Sequence, residues 1–193
     1  PGGSVAQVRR SLFGDLRVRV DKKGKLLIVK EEQQAARMSA QLKQFTERAF
    51  RREVTPQQMR PYVAMLRDDL AAGLDPIEAL RKAYRTVLCS PRFLYFVEPA
   101  GPLDHYAVAS RLSYLFTGSM PDDELWELAR HGKLNDRREL HRQVERFLQG
   151  ENGARFVADF ADQWLDLVDI DFTEPDRKLH RDFDLVVQNA MLV

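Results

Sequence analysis

Apolar positions along the chain change period once. Near the start Leu16, Val18 and Val20 alternate with Arg17 and Arg19, and the run Leu26-Leu27-Ile28-Val29 follows Asp21-Lys22-Lys23-Gly24. This period of two predicts a β-hairpin with Gly24 at the positive-φ position of its turn. From Glu31 onward the period becomes about 3.6, the signature of amphipathic helices.

Punctuation between the apolar stripes sets the helix limits. The first helix is predicted over 32–52, with Met38, Leu42, Phe45, Ala49 and Phe50 on one stripe. Thr55-Pro56 supplies an N-cap and a first-turn proline for a second helix carrying Met59, Val63, Leu66 and Leu70, which stops near Gly73. Asp75-Pro76-Ile77-Glu78 reads as a capping box that opens a third helix ending about Cys89. Ser90-Pro91 then restarts the chain for the apolar run Phe93 to Val97, and Pro99 to Pro102 forms a turn. Further helices are predicted over 104–117, 121–130, 135–148 and 151–168, with Gly118, Gly132 and Gly150 where C-terminal caps belong. The expected fold is all-α, a multi-helix bundle of about six to eight helices in two halves, with a short N-terminal β-hairpin. The segments are 1–30 for the basic hairpin, 31–99 for the first helical half and 100–193 for the second.

Two strands alone are marginal in water, so the hairpin either packs on the helices or ends an upstream module. The chain starts at Pro1 without an initiating methionine or a signal-like apolar stretch, and Leu185 to Val193 reads as a helix with no stop signal. It is therefore expected to be a piece of a longer polypeptide, cut within its second half.

Composition narrows the class without naming a function. The 193 residues are 44% hydrophobic and 31% charged with a net charge of +1, as in a globular protein with a core of its own. No apolar run approaches the ~20 residues that span a bilayer. One cysteine, Cys89, excludes an intrachain disulfide, a four-cysteine zinc site and a C-x-x-C-H haem attachment. It is expected to be a small buried residue at a helix end. The charge is unevenly spread: residues 1–30 hold eight Lys/Arg against two Asp/Glu, and residues 100–193 hold eleven against eighteen. The acidic second half argues against nucleic acid as a partner. Basic strands of the first segment either resist edge-to-edge aggregation or contact an anionic surface.

Few residues suggest chemistry. Of the histidines at 105, 131, 141 and 180, none forms H-E-x-x-H; His141 stands four residues before Glu145 and could offer a ligand pair, but such a pair is ordinarily a surface contact. No catalytic residue and no metal set emerges. On the helix over 151–168, Phe156, Phe160, Trp164 and Val168 line one face, and Asp159, Asp162, Asp166 and Asp169 another. The acidic stripe is either a solvated face or a docking face for a basic partner. Arg51, Arg52, Arg92 and Arg111 each require an acceptor, and carboxylates of the second half such as Asp122, Asp123 and Asp162 are expected to supply them, joining the halves.

Several motifs in order carry a family resemblance. They are Glu47-Arg48-Ala49-Phe50-Arg51-Arg52, Ser90-Pro91-Arg92-Phe93-Leu94-Tyr95, Ala109 to Leu115, Gly118-Ser119-Met120-Pro121-Asp122-Asp123-Glu124-Leu125 and Phe160-Ala161-Asp162-Gln163-Trp164-Leu165. Over about 41–193 the chain resembles helical domains of unknown function in large planctomycete cell-envelope proteins. The resemblance implies an exported multidomain protein in which such modules are joined to c-type cytochrome domains. On that basis the chain is expected to be a non-catalytic scaffold or interaction module. Its partners would be other domains of its own polypeptide and a cytochrome or envelope component. It would hold no cofactor itself, any c-type haem lying in a neighbouring domain. The alternative is a share in a haem-dependent oxidoreductase, with His105, Arg111, Tyr114 and Trp164 shaping a pocket beside that haem.

Overall fold

The computed structural model describes residues 5–29, 32–98, 100–149, 151–166, 176 and 178–190. Among them are ten helices and one two-stranded antiparallel hairpin, in two compact units over 1–107 and 108–193. The all-α expectation holds. No described helix is long and apolar enough to cross a membrane.

Unit 1 begins with a helix that the sequence pattern did not suggest, α1 (Val5–Phe13). The hairpin follows, β1 (Val18–Val20) paired with β2 (Leu26–Ile28) in the register Val18 to Ile28 and Val20 to Leu26. Its turn is built as predicted. Gly24 takes φ 80°, and the Asp21 carboxylate accepts from the N–H groups of Lys23 and Lys25, both at 2.8 Å. The hairpin packs on the helices: Leu16 and Ile28 join the same core as the helical residues.

Three long helices form the body of this unit, α2 (Gln34–Phe50), α3 (Pro56–Ala71) and α4 (Pro76–Leu88). Met38, Leu42, Leu66, Ala79, Ala83 and Val87 are fully buried where they meet. The capping grammar is largely as read. Thr55 and Gln58 cap each other's backbone at the start of α3. Asp75 accepts from the N–H of Ile77 at 3.0 Å, whereas Glu78 pairs with Arg81 one turn on and so does not complete a box. Burial pushes the Asp75 carboxyl up, but bonds from Lys25 and from the backbone of Ile77 and Glu78 outweigh it and leave the group below its ordinary value.

α1 is held from three sides. Tyr84 of α4 donates its hydroxyl to Leu12 O at 2.6 Å, Gln41 of α2 donates to Ser11 O at 2.9 Å, and Arg9 donates to Val18 O at 2.6 Å. Nine residues of helix are marginal alone, so these ties and the packing of Leu12 and Phe13 on the core account for α1. Burial pushes the Tyr84 phenol up to about 12 despite its contact with Gln41.

The chain then runs through the short α5 (Pro91–Leu94), capped by Ser90, to α6 (His105–Thr117). Two arginines at the end of α2 secure this stretch. Arg51, buried and left-handed at φ 58°, donates to the carbonyls of Arg92, Phe93 and Tyr95 at 3.1 to 3.2 Å. Its guanidinium also lies 4.8 Å from the centre of the Phe96 ring. Arg52 binds Asp104 through both terminal nitrogens, at 3.0 and 3.4 Å, and Asp104 accepts the N–H of Ala107 in the first turn of α6. Arg52 thus pairs with a carboxylate of the stretch 100–193, as expected of the first-half arginines, but with Asp104 and not with Asp122, Asp123 or Asp162, while Arg51 binds backbone carbonyls. Cys89 is exposed, not buried: it caps α4 two residues past Val87, the last buried side chain of that helix.

Unit 2 continues with α7 (Asp123–Arg130), α8 (Arg137–Leu148), α9 (Glu151–Trp164) and α10 (Leu185–Ala190). Asp122 caps α7 and Asp136 caps α8, each with its carboxylate on a free N–H. Gly118 and Gly132 sit at helix ends with positive φ, as expected, and Gly150 lies outside the described residues. Phe116, Leu125, Ala129, Leu134 and Phe147 are buried.

Candidate functional site

A ladder of rings runs from the interior of unit 2 to its surface. Phe116 of α6 and Phe147 of α8 are nearly parallel, with centroids 5.7 Å apart, and both are buried. Phe156 of α9 tilts against Phe116 at 4.7 Å, Phe160 follows at 5.8 Å and Trp164 at 5.9 Å. The spacing of four places the last three rings on one stripe of α9. Exposure climbs along it, reaching 52% at Phe160 and 73% at Trp164. Val157, at 60%, widens the apolar face.

Gly153 fixes where α9 starts. It is buried, and a Cβ there would collide with the backbone carbonyl of Leu148 at the end of α8. Only glycine allows this approach, which brings α9 against α8 and Phe156 into the ladder.

The acidic residues stand beside the aromatic stripe. Asp159 is exposed and lies 3.8 Å from Arg155, Asp162 is half-buried, and Asp166 is exposed. Asp166 is beyond the helix, since α9 ends at Trp164 and Asp166 itself takes φ 56°. The stripe predicted through residue 168 is therefore shorter, and Val168 and Asp169 lie outside the described residues.

A second polar cluster joins α7 to α8. Arg146 grips the Asp122 carboxylate through two nitrogens, at 2.7 and 3.2 Å, and donates its Nε to Gln143 at 2.8 Å. Gln143, fully buried, donates to Glu124 and Glu139, both at 2.9 Å. Arg142 bonds Glu139 at 2.7 Å. The bonds from Arg142 and Gln143 hold the Glu139 carboxyl below its ordinary value. Arg146 and Arg142 reach across to Asp122 and Glu124, while Glu139 is held from its own helix, so the cluster fastens α7 to α8.

The residues proposed to wall a haem-side pocket stand as follows. His105 opens α6 half-buried; Arg111 and Tyr114, three apart on that helix, are exposed and half-buried; Trp164 ends α9 with most of its ring in solvent. His141 and Glu145 meet at 3.3 Å, both exposed. Among the described residues no three His, Cys, Asp or Glu side chains gather as metal ligands would. Sequence reasoning missed the buried hub Gln143, and it singled out Arg51 as needing an acceptor without foreseeing backbone carbonyls in that role. Gln143 carries no local signal, because a glutamine on a helix is ordinarily a surface residue.

The described residues form a helical module whose second unit ends in an exposed aromatic face. Two family models match it in succession. Residues 37–98 match PSD5, Protein of unknown function (DUF1595), and residues 103–193 match PSD4, Protein of unknown function (DUF1592). The chain thus carries two consecutive domains of unknown function, as the resemblance in its motifs implied. No curated protein and no solved structure matches it.

Proposed function

We propose that the chain is a non-catalytic scaffold or interaction module of an exported, multidomain cell-envelope protein, and that it docks on a redox neighbour, a c-type cytochrome, through α9. The observation that carries this reading is the open end of the aromatic ladder, Phe160 and Trp164, flanked by Asp159, Asp162 and Asp166. An exposed apolar patch rimmed by charge is the usual form of a docking surface, and aromatic residues dominate the energy of such contacts. The carboxylates favour a partner with a basic surface and would speed its encounter. Cytochrome domains are one such partner and would require no cofactor from this chain.

The test is a titration of the chain with a basic c-type cytochrome, followed by quenching of tryptophan emission by the haem. Quenching should saturate, weaken with salt, and lose about tenfold in affinity in Phe160→Ser and in the double variant Asp159→Asn/Asp162→Asn. Quenching that is absent, or indifferent to both variants, would reject the docking role of α9.

A further inference from the structure

Residues 1–36 precede both family matches, and they contain the most basic stretch of the chain. We infer that the hairpin tip, together with α1, forms a cationic and apolar face that docks on an anionic lipid surface. This inference is independent of the α9 face.

Charge is the first argument. Arg19, Lys22, Lys23 and Lys25 are exposed on the hairpin, and Arg10 is exposed on α1. The bond from Arg9 to Val18 O ties α1 to β1, which brings a second basic element beside the hairpin. Two nearby carboxylates offset part of this charge and leave a basic excess: Asp21 sits in the turn, accepting from Lys23 and Lys25 N–H, and Asp75 pairs with Lys25 at 3.2 Å. Asp15 is the remaining acid before residue 30.

Apolar exposure decides which polyanion is meant. Strand alternation and register put Val18, Ile28, Val20 and Leu26 on one face. The inner rung, Val18 and Ile28, packs with the core, but the outer rung does not: Val20 is 58% exposed and Leu26 38%. Val8 on α1 is 50% exposed. Charges alone would protect a strand edge or hold a soluble polyanion, and neither use requires an aliphatic rung projecting at the tip. A lipid interface uses both, with lysines at the headgroups and small aliphatics at the acyl boundary. Nucleic acid is disfavoured further because residues 16–29 contain no aromatic side chain on which a base could stack.

The experiment is flotation of the full chain with vesicles of phosphatidylcholine plus phosphatidylglycerol, beside vesicles of phosphatidylcholine alone. Binding should require the anionic lipid and fall as salt rises. Each basic residue at such a surface contributes about fivefold, so Lys22→Ala/Lys23→Ala should weaken binding about 25-fold. Val20→Ser/Leu26→Ser should weaken it several-fold while leaving the melt unchanged, and Phe160→Ser should not affect it. Equal flotation with neutral vesicles would overturn the proposal. So would retention on heparin as tight as on vesicles with the Val20→Ser/Leu26→Ser variant unaffected, since that is the behaviour of a site for soluble polyanions.

Discussion

Unit 1 and unit 2 are built from similar helices but finish their cores differently. In unit 1 the stripes of α2, α3 and α4 face one another, and α1, the hairpin and α5 cover what remains, so that Met38, Leu42 and Leu66 have no exposed surface. In unit 2 the ladder of rings begins buried at Phe116 and Phe147 and emerges at Trp164, while Leu185 and Val186 of α10 are more than 70% exposed. The stripes of α2, α3 and α4 are thus covered within unit 1, whose exposed apolar residues lie mostly at Leu94 to Val97 and on α1 and the hairpin, whereas the stripe of α9 is left partly uncovered. Periodicity specifies which face of a helix is apolar. It does not specify whether that face meets the helix's own chain or another molecule.

The contrast can be broken most severely at Leu66. Leu66→Ala leaves a void in a closed core and should cost unit 1 about 2 to 5 kcal/mol, read by denaturant unfolding. Gly153→Ala comes next, forcing α9 away from the Leu148 carbonyl, and should cost about 1 to 3 kcal/mol and disturb the ladder. An unchanged melt in that variant would mean that the α8 to α9 approach is not constrained. Tyr84→Phe removes the tie to Leu12 O and should cost about 1 kcal/mol. Burial of the phenol also has a pH signature. The phenol is pushed up to about 12 in the folded protein from an ordinary 10.0, so the stability linked to the neutral form is complete below pH 10 and is lost between pH 10 and 12. The smallest effect belongs to the exposed rings: Phe160→Ser and Trp164→Ser should alter stability by no more than about 0.5 kcal/mol. A loss of several kcal/mol at Trp164 would show that the face is covered within the chain and would remove the basis for docking through α9.

Much of the scaffold was legible because its signals are local. Thr55, Asp75 and Ser90 cap the N–H groups within three residues of themselves, and Gly24 needs only the turn in which it sits. The Phe156, Phe160 and Trp164 stripe follows from a spacing of four within one helix. α1 was not legible, since Val5–Phe13 is too short to be helical on its own signal and depends on Tyr84, Gln41 and β1, up to 72 positions away. Asp104 as the partner of Arg52, 52 residues apart, was hidden for the same reason. The expectation that a first-half arginine meets a carboxylate of 100–193 was met at Asp104, but charge alone had no means of ranking that acid above the ones named. Asp122, one of those proposed, is bound by Arg146 within unit 2.

What the sequence determined by itself was the all-α class, the order of the helices, their caps and the apolar stripe each presents. These are consequences of interactions between residues one to four apart, whose geometry the helix supplies. Tertiary structure alone decided that Arg51 would satisfy its charge on backbone carbonyls, that Cys89 would face solvent, and that the rings of α9 would leave the core toward Trp164. Each of those outcomes depends on which distant segment occupies the neighbouring space, and packing, not periodicity, settles that competition.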